Sequence, residues 1–422
     1  MQRVLSLQAA RSFGESTEFV TKRMCFSFLF SIGFLCLLCG FLIGRFAAQR
    51  AVDIRAEREQ KAVAGNGLES GEQLQQRIIQ ELETRGFDGP TDLTRSMRNT
   101  ALRNVETMFS ALDFFSKLGV TGGCLTAKVN GSLETDRYVV VTTGGEENID
   151  IVIEVVEELH KSTSDNDWKP RRTLMFLLYE NSLNDCLQLF SDYEKSKIVA
   201  LLAIDKTAID GNGYFVSSGS DIVQTTVLKS FENYAGPKTY ENTYLPRLKL
   251  NIPHSVITFM GSTNDTKSEG SPEHQQQITF HRRNLAKILA SSLWNLSHMN
   301  IFQWNPRIVE DTMKRVFSNL TTPDLRPYIQ QIKGKLTSIT EYGRILNDEI
   351  GQINGVKSLV VRMTNDLLKD VERALLCPDD NFQSQTDITL IAKSQKNQEI
   401  IQILGKMLSC FDTVIQILQD MT

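Results

Sequence analysis

Glu134-Thr-Asp-Arg-Tyr-Val-Val-Val-Thr-Thr-Gly-Gly-Glu146, Trp168-Lys-Pro-Arg-Arg-Thr-Leu-Met-Phe-Leu-Leu-Tyr-Glu180 and Ile198-Val-Ala-Leu-Leu-Ala-Ile-Asp-Lys206 decide the fold. Each contains a continuous apolar run, rich in branched side chains and too short for a helix, that stops at a polar turn. Such runs read as strands buried on both faces, the pattern of a parallel sheet covered by helices. Open α/β sheets place their chemistry where the parallel strands end. The tips of these three runs therefore bear on whether the chain is an enzyme.

Working outward, Cys124 to Val129 reads as a strand, Asn130-Gly131 as a turn, and Tyr138 to Val141 as the next strand. Ile149 to His160 carries Val152, Val155, Val156 and Leu159 on one side, as a crossover helix does. Strands at Leu174–Tyr179, Ile198–Ile204 and Ser255–Phe259 and a helix around Asn184–Glu194 complete a three-layer α/β/α sandwich over residues 124–304. Residues 45–123 read as a stalk and helical lead-in, with apolar spacing at Leu74, Ile78, Ile79 and Leu82 and again at Leu102, Val105, Phe109, Leu112 and Phe115. From residue 305 to 422 helical patterns take over. One stripe is Ile339, Tyr342, Leu346, Ile350 and Ile353; a second is Val360, Met363, Leu367, Val371 and Leu375; a third is Ile400, Leu404, Met407, Phe411, Val414 and Leu418, widened by Ile401, Leu408 and Ile415. An all-α bundle is expected there.

With 422 residues, 41% of them hydrophobic and 23% charged, the composition is that of a globular chain. A net charge of −4 supplies no basic stripe, which argues against nucleic-acid binding. Met24 to Gly44 is a run of 21 uncharged, mostly apolar positions between Lys22-Arg23 and Arg45, long enough to span a bilayer. It reads as a signal anchor behind a cytosolic tail of residues 1–23, since it is longer than a cleaved signal's apolar core. Basic residues on its two flanks nearly balance. The sequons at Asn130, Asn264, Asn295 and Asn319 all follow it and tilt the topology toward type II, with the C-terminal part luminal or extracellular at the plasma membrane or an endomembrane. Cys36 and Cys39 lie inside the span, where packing or palmitoylation would use them. Cys124, Cys186, Cys377 and Cys410 allow two disulfides in three connectivities.

The three strand phrases, together with Val360-Val-Arg-Met-Thr-Asn-Asp-Leu-Leu-Lys-Asp-Val-Glu-Arg-Ala-Leu-Leu-Cys-Pro378, resemble the transferrin receptor and glutamate carboxypeptidase II group, membrane-anchored relatives of the zinc aminopeptidases. The resemblance covers residues 124–210 and 305–422 and is poor over 211–304. It implies a dimeric ectodomain on a single span, without the protease-associated domain, for which the interval before Cys124 is too short. It also implies that residues 360–378 belong to a dimerisation domain. Val360, Met363, Leu367, Val371, Leu404, Phe411 and Leu418 are the expected interface, in a homodimer or a heterodimer.

A two-zinc peptidase needs about five carboxylate or imidazole ligands and a carboxylate base. In register with the family, Gly144 and Glu146 replace the first histidine and aspartate, Ser182 and Leu183 replace the base and the adjoining ligand, and Asp205 alone matches. Asp150 is an ambiguous candidate for the bridging aspartate, and none of His254, His274 and His281 is a convincing last ligand. Glu146, Glu147, Glu180 and Asp185 read as solvated loop acids. The expectation is a non-catalytic receptor or scaffold with no cofactor; the alternative is a residual membrane-bound zinc metallopeptidase. Transferrin binding does not carry over, because the Arg-Gly-Asp surface that the receptor uses is missing from this sequence.

Overall fold

The structure is a computed structural model that describes residues 27–48, 50, 71–85, 102–164, 168–206, 209, 213–234, 251–260, 272–318, 320, 322–352, 358–377 and 397–421. It divides into two units, residues 1–60 and residues 61–422. In the first, Ser27–Ala48 (α1) is a 22-residue helix with exposed side chains, long and apolar enough to cross a membrane. Met24 to Phe26 of the expected span lie outside the described residues, as do Asn264 and Asn319.

The second unit is built on a seven-stranded mixed sheet of order β1-β2-β4-β3-β5-β7-β6. Its strands are β1 (Lys117–Thr121), β2 (Cys124–Val129), β3 (Glu134–Gly144), β4 (Arg172–Tyr179), β5 (Ile198–Ile204), β6 (Tyr214–Gly219) and β7 (His254–Met260). The inner strands β4, β3, β5 and β7 run parallel, whereas β1, β2 and β6 are antiparallel additions at the two sides. All seven residues of β5 are buried, as the unbroken run Ile198–Ile204 requires of a strand covered on both faces. Burying each of its Val, Leu and Ile side chains is worth about 1.5–3 kcal/mol, which is why the centre of the sheet is also its most apolar part.

One face packs on α2 (Gly71–Thr84), α4 (Glu146–Ser164), α7 (Asp221–Tyr234) and α8 (Pro272–His298), joined at the β1–β2 side by α3 (Leu102–Ala111). Leu74, Ile78, Ile79 and Leu82 of α2 are buried against α4 and α8, so the lead-in from Gly71 belongs to the α/β body. Arg85 fastens this contact through Glu154, Glu157 and Glu158 of α4. The other face has a thinner cover. The single helix expected around Asn184–Glu194 is two short ones, α5 (Leu183–Gln188) and α6 (Asp192–Ser196), because Ser191 and Glu194 form a capping box that starts a second helix. Cys124 pairs with Cys186, tying α5 to β2, and Cys377 pairs with Cys410.

Beyond the sheet come α9 (Arg307–Ser318), α10 (Arg326–Gln352), α11 (Ser358–Leu376) and α12 (Asn397–Met421). In α12 the expected stripe of Ile400, Leu404, Met407, Phe411, Val414 and Leu418 is buried against α10 and α11. In α11 the stripe departs from expectation. Its buried face runs through Val361, Thr364, Asn365, Leu368, Val371, Glu372 and Leu375, leaving Val360 and Met363 exposed beside Leu359. Hydrophobic spacing misplaces this face because three of its buried members are polar, with bonds to make. Asn365 Oδ1 accepts from Phe302 N at 3.0 Å and its Nδ2 donates to Asn300 O at 2.7 Å. Both carboxylate oxygens of Glu372 accept from the backbone N–H of Ile222, at 2.8 and 3.0 Å, at the start of α7.

These bonds belong to a polar seam between the α/β body and the bundle. Arg137 meets Asp366 at 2.6 Å and Arg362 meets Asp136 at 2.5 Å. Arg172 is wholly buried, donating from Nε to Glu134 at 2.9 Å and from Nη1 to the carbonyls of Leu296 and Met299 at 2.9 and 2.8 Å. Burial pulls its guanidinium down to about 10, while the charge of Glu134 opposes that fall.

Candidate functional site

Strand register brings the three tips together: Gly144 of β3 stands opposite Tyr179 of β4, and Thr143 stands opposite Ile204, just before Asp205. Gly144 is there for space. A Cβ added to it would lie 2.3 Å from the ring of Tyr179, so the aromatic ring fills the volume that a side chain on β3 would need. Burial, with the nearby charge of Asp205 adding to it, raises the Tyr179 hydroxyl above its ordinary range. Gly145 is there for conformation, turning at φ +85 directly into α4. Its carbonyl accepts from Asn148 N at 3.2 Å and from Ile149 N at 3.1 Å.

Asn148 is buried, and its Nδ2 donates to the backbone carbonyl of Asp205 at 2.7 Å. The end of β5 is thereby clamped to the first turn of α4. Glu146 and Glu147 are exposed in that turn, where carboxylates suit the positive end of the helix. Asp150 lies one turn on, 3.6 Å from Arg282; burial raises its carboxyl and Arg282 opposes the rise. Glu180 and Asp185 are exposed as well.

Ser182 and Leu183 serve the chain's own folding. Ser182 is the N-cap of α5, its Oγ accepting from Asn184 N at 3.1 Å. Leu183 is buried with Cys186 and Leu187 against Met175 and Leu177 of β4.

The three histidines are dispersed. His254 begins β7, paired in register with Leu201 in the middle of β5 and so well short of the strand end that leads to Asp205; its Nδ1 is 2.8 Å from Ile252 O. His281 stacks on Phe259 at 4.2 Å between ring centroids, and His274 sits half-exposed in the first turn of α8. Among the described residues, no three His, Cys, Asp or Glu side chains form a group that could hold a metal ion.

Sequence reasoning brought Gly144, Glu146, Ser182, Leu183 and Asp205 to one edge, where they are found, but it missed Tyr179 and Asn148. A tyrosine that ends an otherwise aliphatic run was the available signal for the first. Nothing in the local spacing marks Asn148. Of the sequons within the described residues, Asn130 is exposed at the end of β2, whereas Asn295 is half-buried in α8 with its Oδ1 accepting from Gln75 at 3.2 Å and Ser297 buried beside it.

No protein-family model and no curated protein matches this sequence. Among solved structures, similarity is found to an aminopeptidase from Aneurinibacillus sp. strain AM-1, at 12% identity and a TM-score of 0.31 over 42% of this chain and 48% of that one. The LapA aminopeptidase of Legionella pneumophila is similar at 12% identity and a TM-score of 0.34 over 58% of this chain and 74% of that one. LapB from the same organism is similar at 11% identity and a TM-score of 0.33, over 54% and 72%. The matched region thus spans about half of the Aneurinibacillus enzyme.

Proposed function

We propose that this chain is a non-catalytic, single-pass type II membrane protein, a degenerate relative of the transferrin receptor and glutamate carboxypeptidase II group, that acts through its surfaces as a receptor or scaffold. The observation that carries the reading is the fate of the strand tips. The ring of Tyr179 occupies the space above Gly144, Ser182 is engaged in capping α5, and Leu183 is buried in the core. Of the positions that the resemblance assigns to a ligand or base, Gly144, Ser182 and Leu183 carry no metal-binding side chain, Glu146 is an exposed acid, and the ambiguous candidate Asp150 is paired with Arg282, which leaves Asp205 as the one match. The two disulfides favour a luminal or extracellular body, since such bonds persist in oxidising compartments. Purified full-length chain in detergent, incubated with zinc and assayed for bound metal and for hydrolysis of peptide substrates, tests the reading. Neither activity nor retained metal is expected; about two zinc ions per chain with turnover would establish the peptidase alternative.

Dimerisation rests on α11. Val371, Leu404, Phe411 and Leu418 are buried inside the chain and Leu367 is half-buried, which leaves Val360 and Met363, with Leu359 at 65% exposure, as the apolar surface open to a second copy. Met363→Asp is expected to convert the dimer to monomer by light scattering without changing thermal stability. An unchanged mass would move the interface elsewhere.

A further inference from the structure

Away from the strand tips, a cleft of about 520 Å³ opens between α5, α6, the segment leading into β7 and the last turns of α11. Leu187 and Ile252 form its apolar floor, with Gln188 and Asn251 among its polar walls. Two cations line it from different parts of the chain, Lys195 from α6 and Arg373 from α11, together with one carboxylate, that of Asp192 in α6. Neither is fully engaged by the fold. Arg373 makes one long bond among the described residues, Nη2 to Ser196 O at 3.4 Å, and its buried Nε has no acceptor. Lys195 meets Asp192, an exposed partner, at 3.5 Å, and an exposed pair of this kind is weak, so the ammonium can turn to a ligand at little cost.

Further lysines lie around α6. Lys197 lies over the ring of Tyr193 at 4.2 Å, and Lys128 lies over Tyr138 at the same distance. Lys117 and Lys128 stand opposite one another in cross-strand register, and both act on Glu194 of α6. Like charges placed this way weaken a strand pair while raising the local potential for an anion.

We propose that the cleft binds a small molecule bearing an oxyanion, carboxylate or phosphate, clamped between Lys195 and Arg373, with Gln188 and Asn251 reading its polar remainder. A guanidinium fork and an ammonium converging over an apolar floor are suited to such a group, each contributing charge-assisted hydrogen bonds. Occupancy would join α6 to α11 across the seam, because Arg373 follows Glu372, whose carboxylate caps α7.

Full-length chain in detergent, titrated separately with inorganic phosphate and with citrate at ionic strength held constant by sodium chloride, tests the site by calorimetry and thermal unfolding. Saturable binding at one site per chain is expected for at least one probe. Lys195→Gln and Arg373→Gln should each weaken it about tenfold or more. Lys195→Gln should leave ligand-free melting unchanged, which separates a lost contact from a damaged fold. A response to phosphate alone identifies a phosphorylated ligand, and a response to citrate alone identifies a carboxylate. No saturable binding of either probe, or binding that both substitutions leave untouched, overturns the proposal.

Discussion

The edge of the sheet where β3, β4 and β5 end and the seam between the α/β body and the helical bundle use polar residues in opposite ways. At the edge, Glu146, Glu147 and Glu180 stay in solvent, and the neutral side chains of Ser182 and Asn148 bond to the backbone at Asn184 and Asp205. At the seam, Glu134, Arg172 and Glu372 are buried and hold groups distant in sequence. A buried carboxylate is costly unless it is fully bonded, so it marks a place where geometry is specified. In this protein that place is the junction of its two parts, whereas at the edge the ring of Tyr179 fills the space beside Gly144 and Leu183 is buried in the core.

The comparison is open to attack at four points. The disulfides lie one in the α/β body and one within the helical bundle. Replacing Cys124 and Cys186 with serine removes a link across a separation of 62 residues and is expected to destabilise the body by about 4 kcal/mol, seen as an earlier unfolding midpoint. A negligible change would mean that α5 does not depend on β2 for its position.

At the seam, Glu372→Ala leaves the N–H groups of Ile222 and Val223 without their acceptor. It should cost roughly 3 kcal/mol, since buried donors would lose their partner and α7 its cap. The carboxyl is also a pH element. Burial pushes it up to about 8 from an ordinary 4.5, with the charge of Asp221 adding to the rise. A group with a raised folded-state value binds more protons in the folded state. Its contribution is therefore full below about pH 4.5, shrinks between 4.5 and 8, and is lost above 8. Thermal stability should fall across that window by at most ~1.4 kcal/mol per pH unit, and Glu372→Gln should flatten the slope. An unchanged slope in that variant would assign the pH response to other groups.

At the edge, Gly144→Ala drives a methyl into the ring of Tyr179 and should cost about 1–3 kcal/mol. Tyr179→Ala should recover part of that loss in the double variant. Additive losses would show that the ring does not fill this space in solution. The smallest effect is expected at Ser182→Ala, about 1 kcal/mol from loss of the α5 cap. A larger loss, with a changed metal content, would point to a role beyond capping.

Legibility followed the same division. The run Ile198–Ile204 is β5 to the residue, because continuous apolar character leaves few alternatives for a segment of that length. The edge strands β1 and β6 escaped notice: Lys117-Leu-Gly-Val-Thr121 and Tyr214-Phe-Val-Ser-Ser-Gly219 carry too few apolar residues to stand out. The sheet-covering helices α7 and α8 were missed for a related reason. They bury Gln224, Ser230, Lys287, Ser291 and Ser292, so their inner faces do not read as apolar stripes. The residues at the strand tips were legible position by position. How they pack was not, since a ring from one strand occupying the space beside the next is a fact of register.

Asn295 acquires a meaning from its place in α8. Its amide is bonded to Gln75, and Ser297 of the same sequon is buried, so a packed body offers this site to no enzyme. Sugar could be transferred there only before α2 docks. Carbohydrate at Asn295 would therefore record the chains that were slow to close, while carbohydrate at exposed Asn130 would record only their passage through the secretory route. Glycopeptide mass spectrometry should find Asn295 unmodified in the native chain and modified in a larger share of the Glu372→Ala variant; equal occupancy in both would show that docking outruns the transferase. The sequon pair would then report separately on delivery and on folding.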